Sequence, residues 1–429
     1  MSPLPSEFRP DEQYAADLDA ADDLAIYRER FHIPLAADGR PKAYFCGNSL
    51  GLQPVRAEAL VREELEDWSR LAVDGHFDAR RPWFKYHEQF REPTARLVGA
   101  LPGEVVVMNG LTVNLHLMLV SFFRPEGKRR CILMEENAFP SDTYAVQSQL
   151  ALHGLDPNED LLIARAREGE TAVRTEEFAE LLDRHGDRIA LVLLGGVNYY
   201  SGQLFDLPRI TRMARDRGCA VGLDLAHAAG NVPLKLHDWG VDFAAWCSYK
   251  YLNAGPGAVA GCFVHERHAA DPDLLRLGGW WGNDPETRFR MHLEERFRPV
   301  AGADSWQLSN PPVLALAPLL ASLEIFDEVG MDALREKSQQ LTGYLEAWID
   351  HVADPRVEII TPRDPAARGC QLSLRVCERG KDLFAAIQSA AIVGDYREPD
   401  VVRVAAVPLY NSFHDVWRLG RALAGWAGA

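Results

Sequence analysis

The chain has 429 residues, of which 47% are hydrophobic and 25% are charged. This composition is typical of a soluble globular protein with about two to three structural units, and it excludes disordered and collagen-like chains. The formal net charge of −16 argues against nucleic acids and anionic membrane surfaces as partners, because both select clustered lysines and arginines.

The N-terminal residues 1–23 are polar and acidic, without the basic and apolar regions of a secretory signal. The longest apolar stretch, residues 111–123, is interrupted by Asn114 and His116 and is shorter than the roughly 18 residues that a membrane span needs. The seven cysteines are irregularly spaced and form no CxxC pair, which favours buried reduced thiols. The sequence therefore predicts a cytoplasmic protein without a membrane-spanning helix and without a metal site.

Short apolar runs alternate with amphipathic runs through the middle of the chain. This alternation predicts βαβ units and a parallel-rich sheet covered by helices on both faces. The predicted strands are Val105–Met108, Cys131–Met134, Leu161–Ala164, Ile189–Leu194, Ala220–Leu225, Phe243–Ser248 and Ala258–Val264. The predicted helices are Val113–Phe122, Ser141–Leu152, Glu176–Arg184 and Leu207–Asp216.

The pattern changes after the last of these strands. Residues 266–310 are polar and loop-rich, and apolar residues at helical spacing follow from about Val313 to Val352. The remaining predicted elements are short strands near 357–361 and 371–376, a helix near 382–390, a strand at Val401–Val407 and a helix from about Asp415. We therefore predict a largely helical segment at 1–65 that packs with a small α+β domain at 313–429, and a large α/β domain at 66–312.

Asp224 lies at the end of one predicted strand and Lys250 follows the next, and open α/β sheets bind ligands at the carboxyl ends of their strands. An aspartate there can pair with a protonated pyridine nitrogen, although it can also simply cap a turn. A lysine partly removed from water becomes a nucleophile and base, although a lone lysine at a strand end usually extends into solvent. His227 can stack on a cofactor or merely pack. Together, Asp224 and Lys250 favour a catalytic site.

Two strand-to-helix turns precede this pair in the chain. The turn Asn109–Thr112 offers backbone N–H groups and the Thr112 hydroxyl to a phosphate. The turn Phe139–Asp142 offers an aromatic face to a planar ring, and Asp142 can bond a polar ring substituent. Either turn alone would be interpreted as an ordinary helix cap. The order of phosphate turn, aromatic residue, Asp-x-x-His and Ser-Tyr-Lys is distinctive only as a set.

Six segments between about residues 40 and 420 resemble the kynureninase family. They read YFCGNSLGLQP, MNGLTVNLHLMLVSFFRP, AFPSDTYAVQSQLALHG, GLDLAHAAGNVPLKLHDWGVDFAAWCSYKYLNAGPG, GGWWGN and RVAAVPLYNSFHD. The resemblance implies an α/β fold of the fold-type I pyridoxal-phosphate enzymes, in the class V aminotransferase branch. That fold has a large domain built on a mixed, mostly parallel seven-stranded sheet and a smaller α+β domain.

The resemblance also implies roles for individual residues. Lys250 would carry pyridoxal 5′-phosphate as a Schiff base, Asp224 would pair with its pyridine nitrogen, and Tyr249 would assist proton transfer. The cofactor site would comprise Leu111, Thr112, Phe139, Pro140, Ser141, Asp142, Asp224, His227, Tyr249, Lys250, Trp280 and Asn310, with Trp280 and Asn310 supplied by the neighbouring subunit of a homodimer. The substrate site would comprise Arg403 at the carboxylate and His76, Trp281 and Asn310 at the aromatic end.

The implied reaction is hydrolysis of L-kynurenine, or of 3-hydroxy-L-kynurenine, to alanine and the corresponding anthranilate by cleavage of the Cβ–Cγ bond. It belongs to tryptophan catabolism or to NAD biosynthesis, and the sequence does not separate the two substrates. Two positions depart from relatives: Gly195 stands where some carry serine, and the doublet Trp280-Trp281 places an indole where others carry a different aromatic residue.

Two alternatives stay open at this point. A cysteine desulfurase of the same branch would need a reactive thiol, for which Cys370 is the candidate, although QLSLRV after it predicts a buried strand. A non-enzymatic scaffold would be expected to have lost the site residues, which are all present. Without the resemblance, Trp280, Trp281, Arg403 and His76 would be assigned to core, surface or loop positions.

Overall fold

Strands and helices alternate along the chain in this computed structural model, which describes residues 8–268, 271 and 273–428. The strands are β1 (Ala43–Tyr44), β2 (Val105–Val107), β3 (Cys131–Glu135), β4 (Leu161–Ala164), β5 (Ile189–Gly195), β6 (Ala220–Asp224), β7 (Phe243–Trp246), β8 (Gly261–Val264), β9 (Val357–Ile359), β10 (Gln371–Val376), β11 (Ile392–Val393), β12 (Asp395–Arg397) and β13 (Val401–Ala405).

The α-helices have the following bounds. They are α1 (Glu12–Ala20), α2 (Ala57–Leu71), α3 (Gly75–Asp78), α4 (Arg91–Val98), α5 (Leu111–Phe122), α6 (Pro140–Leu152), α7 (Pro157–Asp160), α8 (Thr175–His185), α9 (Leu207–Arg215), α10 (Leu236–Trp239), α11 (Val313–Val329), α12 (Met331–Val352), α13 (Gly380–Ser389) and α14 (Phe413–Ala427).

The large sheet has seven strands in the order β2-β8-β7-β6-β5-β3-β4. Strands β3 to β7 run parallel, whereas β8 runs antiparallel to both β7 and β2. Apolar side chains alternate between two buried layers, as Ile132 and Leu133 in β3 do. One layer packs against α5 and α6, and the other packs against α8, α9 and α11. The mixed, mostly parallel seven-stranded sheet predicted from the sequence is confirmed.

A second, four-stranded sheet has the order β12-β13-β10-β9 and is antiparallel throughout. Its core also contains residues from α12, α13 and α14, and Tyr14 and Ala15 from α1 pack into it. Strand β1 pairs in parallel with β11. The boundary predicted between residues 65 and 66 falls inside α2, and the three-part division of the chain stays a prediction.

The helical segment predicted at the N-terminus differs from the observed structure. Residues 31–56 are mostly turns and loops, because prolines and glycines interrupt any helix there, so the N-terminal segment is not largely helical. Residues 1–7 of that segment, and 269, 270 and 272 of the predicted loop region, lie outside the described residues. The helical region predicted from about Val313 to Val352 is confirmed, and it consists of two helices separated at Gly330, whose positive φ of 79° stops α11. Strand β12 was missed because its sequence is polar.

Among the residues that the structure describes, no helix combines the length and the apolar character needed to cross a membrane.

Candidate active site

A cavity of about 240 Å³ opens at the carboxyl ends of the parallel strands of the large sheet. The predicted site residues that line it are Leu111, Thr112, Phe139, Ser141, Asp142, Asp224, His227, Tyr249 and Lys250. They come from the start of α5, the start of α6 and the loops that follow β6 and β7. Residues separated by up to about 140 positions in the sequence therefore meet in one place, as the strand order requires.

The start of α5 has the features of a phosphate site. Gly110 is its N-cap residue, and no side chain caps the helix, so the first backbone N–H groups are free for an anion. A Cβ built at Gly110 would meet nothing within 4 Å, which leaves room for a ligand against the backbone. The hydroxyls of Thr112 and Ser141 lie 3.2 Å apart and join the two helix starts. These groups fit the phosphate of pyridoxal phosphate.

The walls around Lys250 fit a planar pyridine ring. The Lys250 ammonium nitrogen lies 5.8 Å from the centre of the Phe139 ring and 6.0 Å from the centre of the Tyr249 ring. His227 is buried, and its Nδ1 atom has no hydrogen-bond partner among the described residues. Burial and the nearby Lys250 charge lower the pKa of His227 well below its usual value, so the imidazole is neutral. A neutral imidazole with a free nitrogen suits contact with a bound ring.

Three carboxyl groups, Glu135, Asp142 and Asp224, share the floor of the cavity. Asp224 is buried at the end of β6, and one of its oxygens accepts a hydrogen bond of 2.7 Å from the Ala226 N–H. Burial raises the pKa of Asp142 well above its usual value, and the charge of Asp224 raises it further. Burial likewise raises the pKa of Glu135 to about 7. Close carboxyl groups cannot all be ionised at once, so part of this carboxyl cluster stays protonated at neutral pH.

Glu135 accounts for the glycine at position 195. The Gly195 N–H donates a 3.1 Å hydrogen bond to a Glu135 carboxylate oxygen, and a Cβ at position 195 would lie 3.0 Å from that oxygen. The space that a serine side chain would use is therefore taken by Glu135. Glu135 also lines the cavity, as do Asn198 and Tyr199 in the loop after β5, and none of the three was predicted from the sequence. Glu135 directly follows the predicted strand Cys131–Met134, which was the available signal, whereas Asn198 and Tyr199 lie farther from a predicted strand end.

Glu135 also predicts how the stability of the cofactor-free protein depends on pH. A carboxyl with a pKa of about 7 when folded and about 4.5 when unfolded binds more protons in the folded state between these values. The free energy of unfolding should therefore fall as the pH rises from about 4.5 to about 7, by up to about 3 kcal/mol. Glu135→Gln should show a smaller fall in urea unfolding curves, while the exposed control Glu168→Gln should match the wild type. Equal slopes in all three proteins would contradict this assignment.

Arg403 lies behind the cavity wall rather than in it. One guanidinium nitrogen donates a 2.5 Å hydrogen bond to the Tyr199 carbonyl, another pairs with Asp395, and Nε has no partner among the described residues. The guanidinium carbon lies 5.9 Å from the centre of the Tyr199 ring, and Tyr199 lines the cavity. The predicted carboxylate-binding arginine is therefore separated from the Lys250 cavity by Tyr199.

Three predicted residues of the aromatic subsite, His76, Trp281 and Asn310, line a second, mostly apolar cavity of about 450 Å³. This cavity shares no lining residue with the Lys250 cavity. His76 Nδ1 and the Trp281 indole nitrogen are buried without a hydrogen-bond partner among the described residues. Trp280 lines neither cavity, and its indole N–H donates to the Arg288 carbonyl at 3.1 Å. Besides Arg403, five predicted site residues therefore do not line the Lys250 cavity of their own chain, namely His76, Pro140, Trp280, Trp281 and Asn310.

The structure weighs against Cys370 as a reactive thiol. It is fully buried beside β10, and burial raises its pKa to about 12. Because the thiolate is the nucleophilic form, a thiol with so high a pKa is a poor nucleophile at neutral pH. Cys370 therefore has the environment of a structural residue, contrary to what a desulfurase requires.

Known proteins resemble this chain in both sequence and fold. The family model for the kynureninase C-terminal domain matches residues 334–423, and the class-V aminotransferase model matches residues 53–378. Kynureninases of Myxococcus xanthus and Koribacter versatilis are 56% and 55% identical over 423 and 407 residues. These matches cover 99% and 95% of this chain and 99% and 96% of the relatives.

Solved structures of lower sequence identity share the fold. A cysteine desulfurase from Escherichia coli superposes with a TM-score of 0.76 at 16% identity, covering 94% of this chain and 98% of that one. The apo cysteine desulfurase of Thermococcus onnurineus gives a TM-score of 0.71, also at 16% identity, covering 91% and 95%. At such low identity the likeness shows the fold alone, which is that of the class-V aminotransferases, as the sequence predicted.

Proposed function

The chain belongs to the kynureninase family and is thus a pyridoxal-phosphate enzyme that hydrolyses L-kynurenine, and we propose which of its residues perform that hydrolysis. The observation that carries the proposal is the cavity in which Lys250, Asp224, Phe139 and the uncapped start of α5 converge. A cysteine desulfurase shares the fold, but the thiol that it would need is buried and protonated.

Residues of the Lys250 cavity would hold the cofactor by its phosphate and by its ring. The N–H groups at Leu111 and Thr112, with the hydroxyls of Thr112 and Ser141, bind the phosphate. Phe139 and His227 cover the ring, with Pro140 fixing the turn that presents Phe139, and Asp142 bonds a polar ring substituent. When bound, the cofactor supplies an electron-withdrawing ring conjugated to the amino nitrogen of the substrate. Asp224 keeps the pyridine nitrogen of that ring protonated, which strengthens the electron withdrawal.

Lys250 and Tyr249 move the protons. Lys250 would hold the cofactor covalently at rest, and in the reaction its free amino group takes the Cα proton of the substrate. Water adds to the side-chain ketone, and the Cβ–Cγ bond breaks to release anthranilate. Burial raises the pKa of Tyr249 well above its usual value, so this hydroxyl retains its proton and can donate it. Proton donation to Cβ, followed by return of a proton from the Lys250 amino group to Cα, completes alanine.

Arg403 binds the substrate carboxylate in this proposal. Its planar guanidinium can form a two-pronged pair that a lysine cannot imitate. For this purpose a nitrogen must leave Asp395 or the Tyr199 carbonyl, and Tyr199 must move aside. Both Asp395 and Tyr199 belong to loops or edges around the site rather than to the buried centre of the sheet.

The enzyme acts as a homodimer in which two subunits complete each site. The second cavity has apolar walls and two nitrogens, His76 Nδ1 and the Trp281 indole nitrogen, that have no hydrogen-bond partner among the described residues, so it can hold an aromatic amine. Lys250 of the same chain does not line this cavity. A neighbouring subunit would bring Trp280, Trp281 and Asn310 to the Lys250 cavity. The Trp281 indole and His76 would then contact the ring of kynurenine or 3-hydroxykynurenine. A cytoplasmic location and a role in tryptophan catabolism or NAD biosynthesis accompany this proposal.

The test is a direct assay of the purified protein saturated with pyridoxal phosphate. We expect anthranilate fluorescence to appear when L-kynurenine is added, and parallel kinetics with 3-hydroxy-L-kynurenine to give the ring preference. L-cysteine serves as the control substrate, from which no sulfide should be released. Bound cofactor without anthranilate release would contradict the proposed reaction while leaving the cofactor site intact.

A further inference from the structure

Two imidazoles and one carboxylate meet at the edge of the large sheet opposite Lys250. Glu104 lies directly before β2, His265 lies directly after β8, and His237 lies in α10. In the sheet, Val105 pairs with Phe263 and Phe243 pairs with Val264. The Glu104 cluster therefore lies at the amino ends of β2 and β7. Lys250 follows the carboxyl end of β7, so this cluster is separate from the hydrolytic site.

The ligand atoms of the cluster have the spacing of a metal site. One Glu104 carboxylate oxygen lies 3.0 Å from His237 Nδ1 and 3.5 Å from His265 Nδ1, and the three atoms all lie within 4.8 Å of one another. Tetrahedral zinc with ligand bonds of about 2.0–2.1 Å requires ligand atoms about 3.4 Å apart. The two observed distances lie on either side of that value. A bound metal ion would replace the hydrogen bond between His237 and Glu104 and the 3.3 Å hydrogen bond that His265 Nδ1 accepts from the Arg267 N–H.

The surroundings hold the carboxylate in place and leave the cluster open on one side. Glu104 is 1% exposed, and its two oxygens accept hydrogen bonds of 2.8 Å from the N–H groups of Leu101 and Glu266. The imidazole rings stack with centres 4.9 Å apart, and the His237 side chain is 30% exposed. A metal ion could therefore enter from solvent at His237 and keep a water molecule as its fourth ligand.

Within the described part of the chain, neither a lysine nor an arginine forms an ion pair with the buried Glu104 carboxylate. Its ion pairs among the described residues are with His237 and His265, which are charged only when protonated. The neighbouring Arg267 and His268 pair instead with Asp242. A divalent cation bound beside Glu104 would balance the charge of this buried carboxylate.

We propose that Glu104, His237 and His265 bind a divalent transition-metal ion of the zinc type. Two imidazole ligands favour zinc, nickel or copper over magnesium and calcium, which prefer oxygen ligands. The ion would join three segments that are far apart in the sequence: the turn before β2, α10 and the end of β8. Its effect is therefore to stabilise the folded chain, not to take part in kynurenine hydrolysis.

The experiment titrates the chelator-treated holoenzyme with zinc chloride and follows binding by calorimetry and unfolding by temperature. We expect one zinc ion per chain at this site and an unfolding temperature that rises with zinc concentration. His237→Ala and His265→Ala should each bind zinc at least about tenfold more weakly and lose the rise in temperature. Their kynurenine turnover should match the wild type, because neither residue lies near Lys250.

Two control variants distinguish zinc binding at the proposed site from zinc binding by other histidine or cysteine side chains. His185→Ala removes a histidine at the end of α8, and Cys377→Ser removes an exposed thiol. Both should retain the wild-type affinity and the wild-type rise in unfolding temperature. Absence of zinc binding by the wild type, or His237→Ala and His265→Ala variants that bind as tightly as His185→Ala, would overturn the proposal.

Discussion

Lys250→Ala should lose turnover of L-kynurenine by roughly 10⁴-fold or more. Removal of a general base alone costs about 10²–10⁴ in rate, and this substitution also removes the covalent attachment of the cofactor. The cavity should persist, because the Lys250 side chain contributes to its wall and not to a packed core. The variant should therefore still bind pyridoxal phosphate through the start of α5, but without the visible absorbance of the lysine-linked form.

The control for this variant is Lys128→Ala, which removes an exposed lysine before β3. It should match the wild type in turnover and absorbance. Added small primary amines should restore part of the turnover of Lys250→Ala, because they can replace the missing base in the space that the side chain leaves. Retention of the lysine-linked absorbance by Lys250→Ala would show that another lysine carries the cofactor.

The large sheet was predictable because its strands are short, apolar and separated by amphipathic helices. The predicted strand Leu161–Ala164 has the observed bounds, and the other strands of this sheet differ by one to three residues at their ends. The strand β12 is polar and therefore lacks this apolar signal. It forms because it pairs with β13, where Asp395 lies opposite Arg403. Residues 31–56 form loops and not the predicted helix, because their prolines interrupt the helical hydrogen bonds.

Some residues of the candidate site could be predicted from their position at a strand end, whereas others are brought there only by tertiary packing. Asp224 and Lys250 could be found because each follows an apolar strand that the pattern already located. The contact between Glu135 and Gly195 could not be found, because it depends on the register of two strands that lie 60 positions apart. Similarly, the pairing of Arg403 with Asp395 depends on the second sheet. No sequence pattern shows how Arg403 lies relative to the Lys250 cavity.

Asp224→Asn should lower kcat for L-kynurenine by about 10²–10³-fold, the usual effect of removing one preorganised electrostatic partner. Asparagine keeps the shape and can still accept the 2.7 Å hydrogen bond from the Ala226 N–H, so the end of β6 should not unfold. It has no negative charge to hold a proton on the pyridine nitrogen, and the electron withdrawal that labilises the Cα proton weakens. The exposed Asp216→Asn at the end of α9 is the matched control and should keep wild-type turnover.

The same substitution has a second consequence that a purely structural role would not produce. The charge of Asp224 contributes to the raised pKa values of Asp142 and Glu135, so its removal should let both groups ionise at lower pH. The pH dependence of stability in cofactor-free Asp224→Asn should then shift to lower pH, as measured by urea unfolding. Unchanged turnover together with an unshifted pH dependence would show that Asp224 neither pairs with the ring nitrogen nor governs the carboxyl groups beneath it.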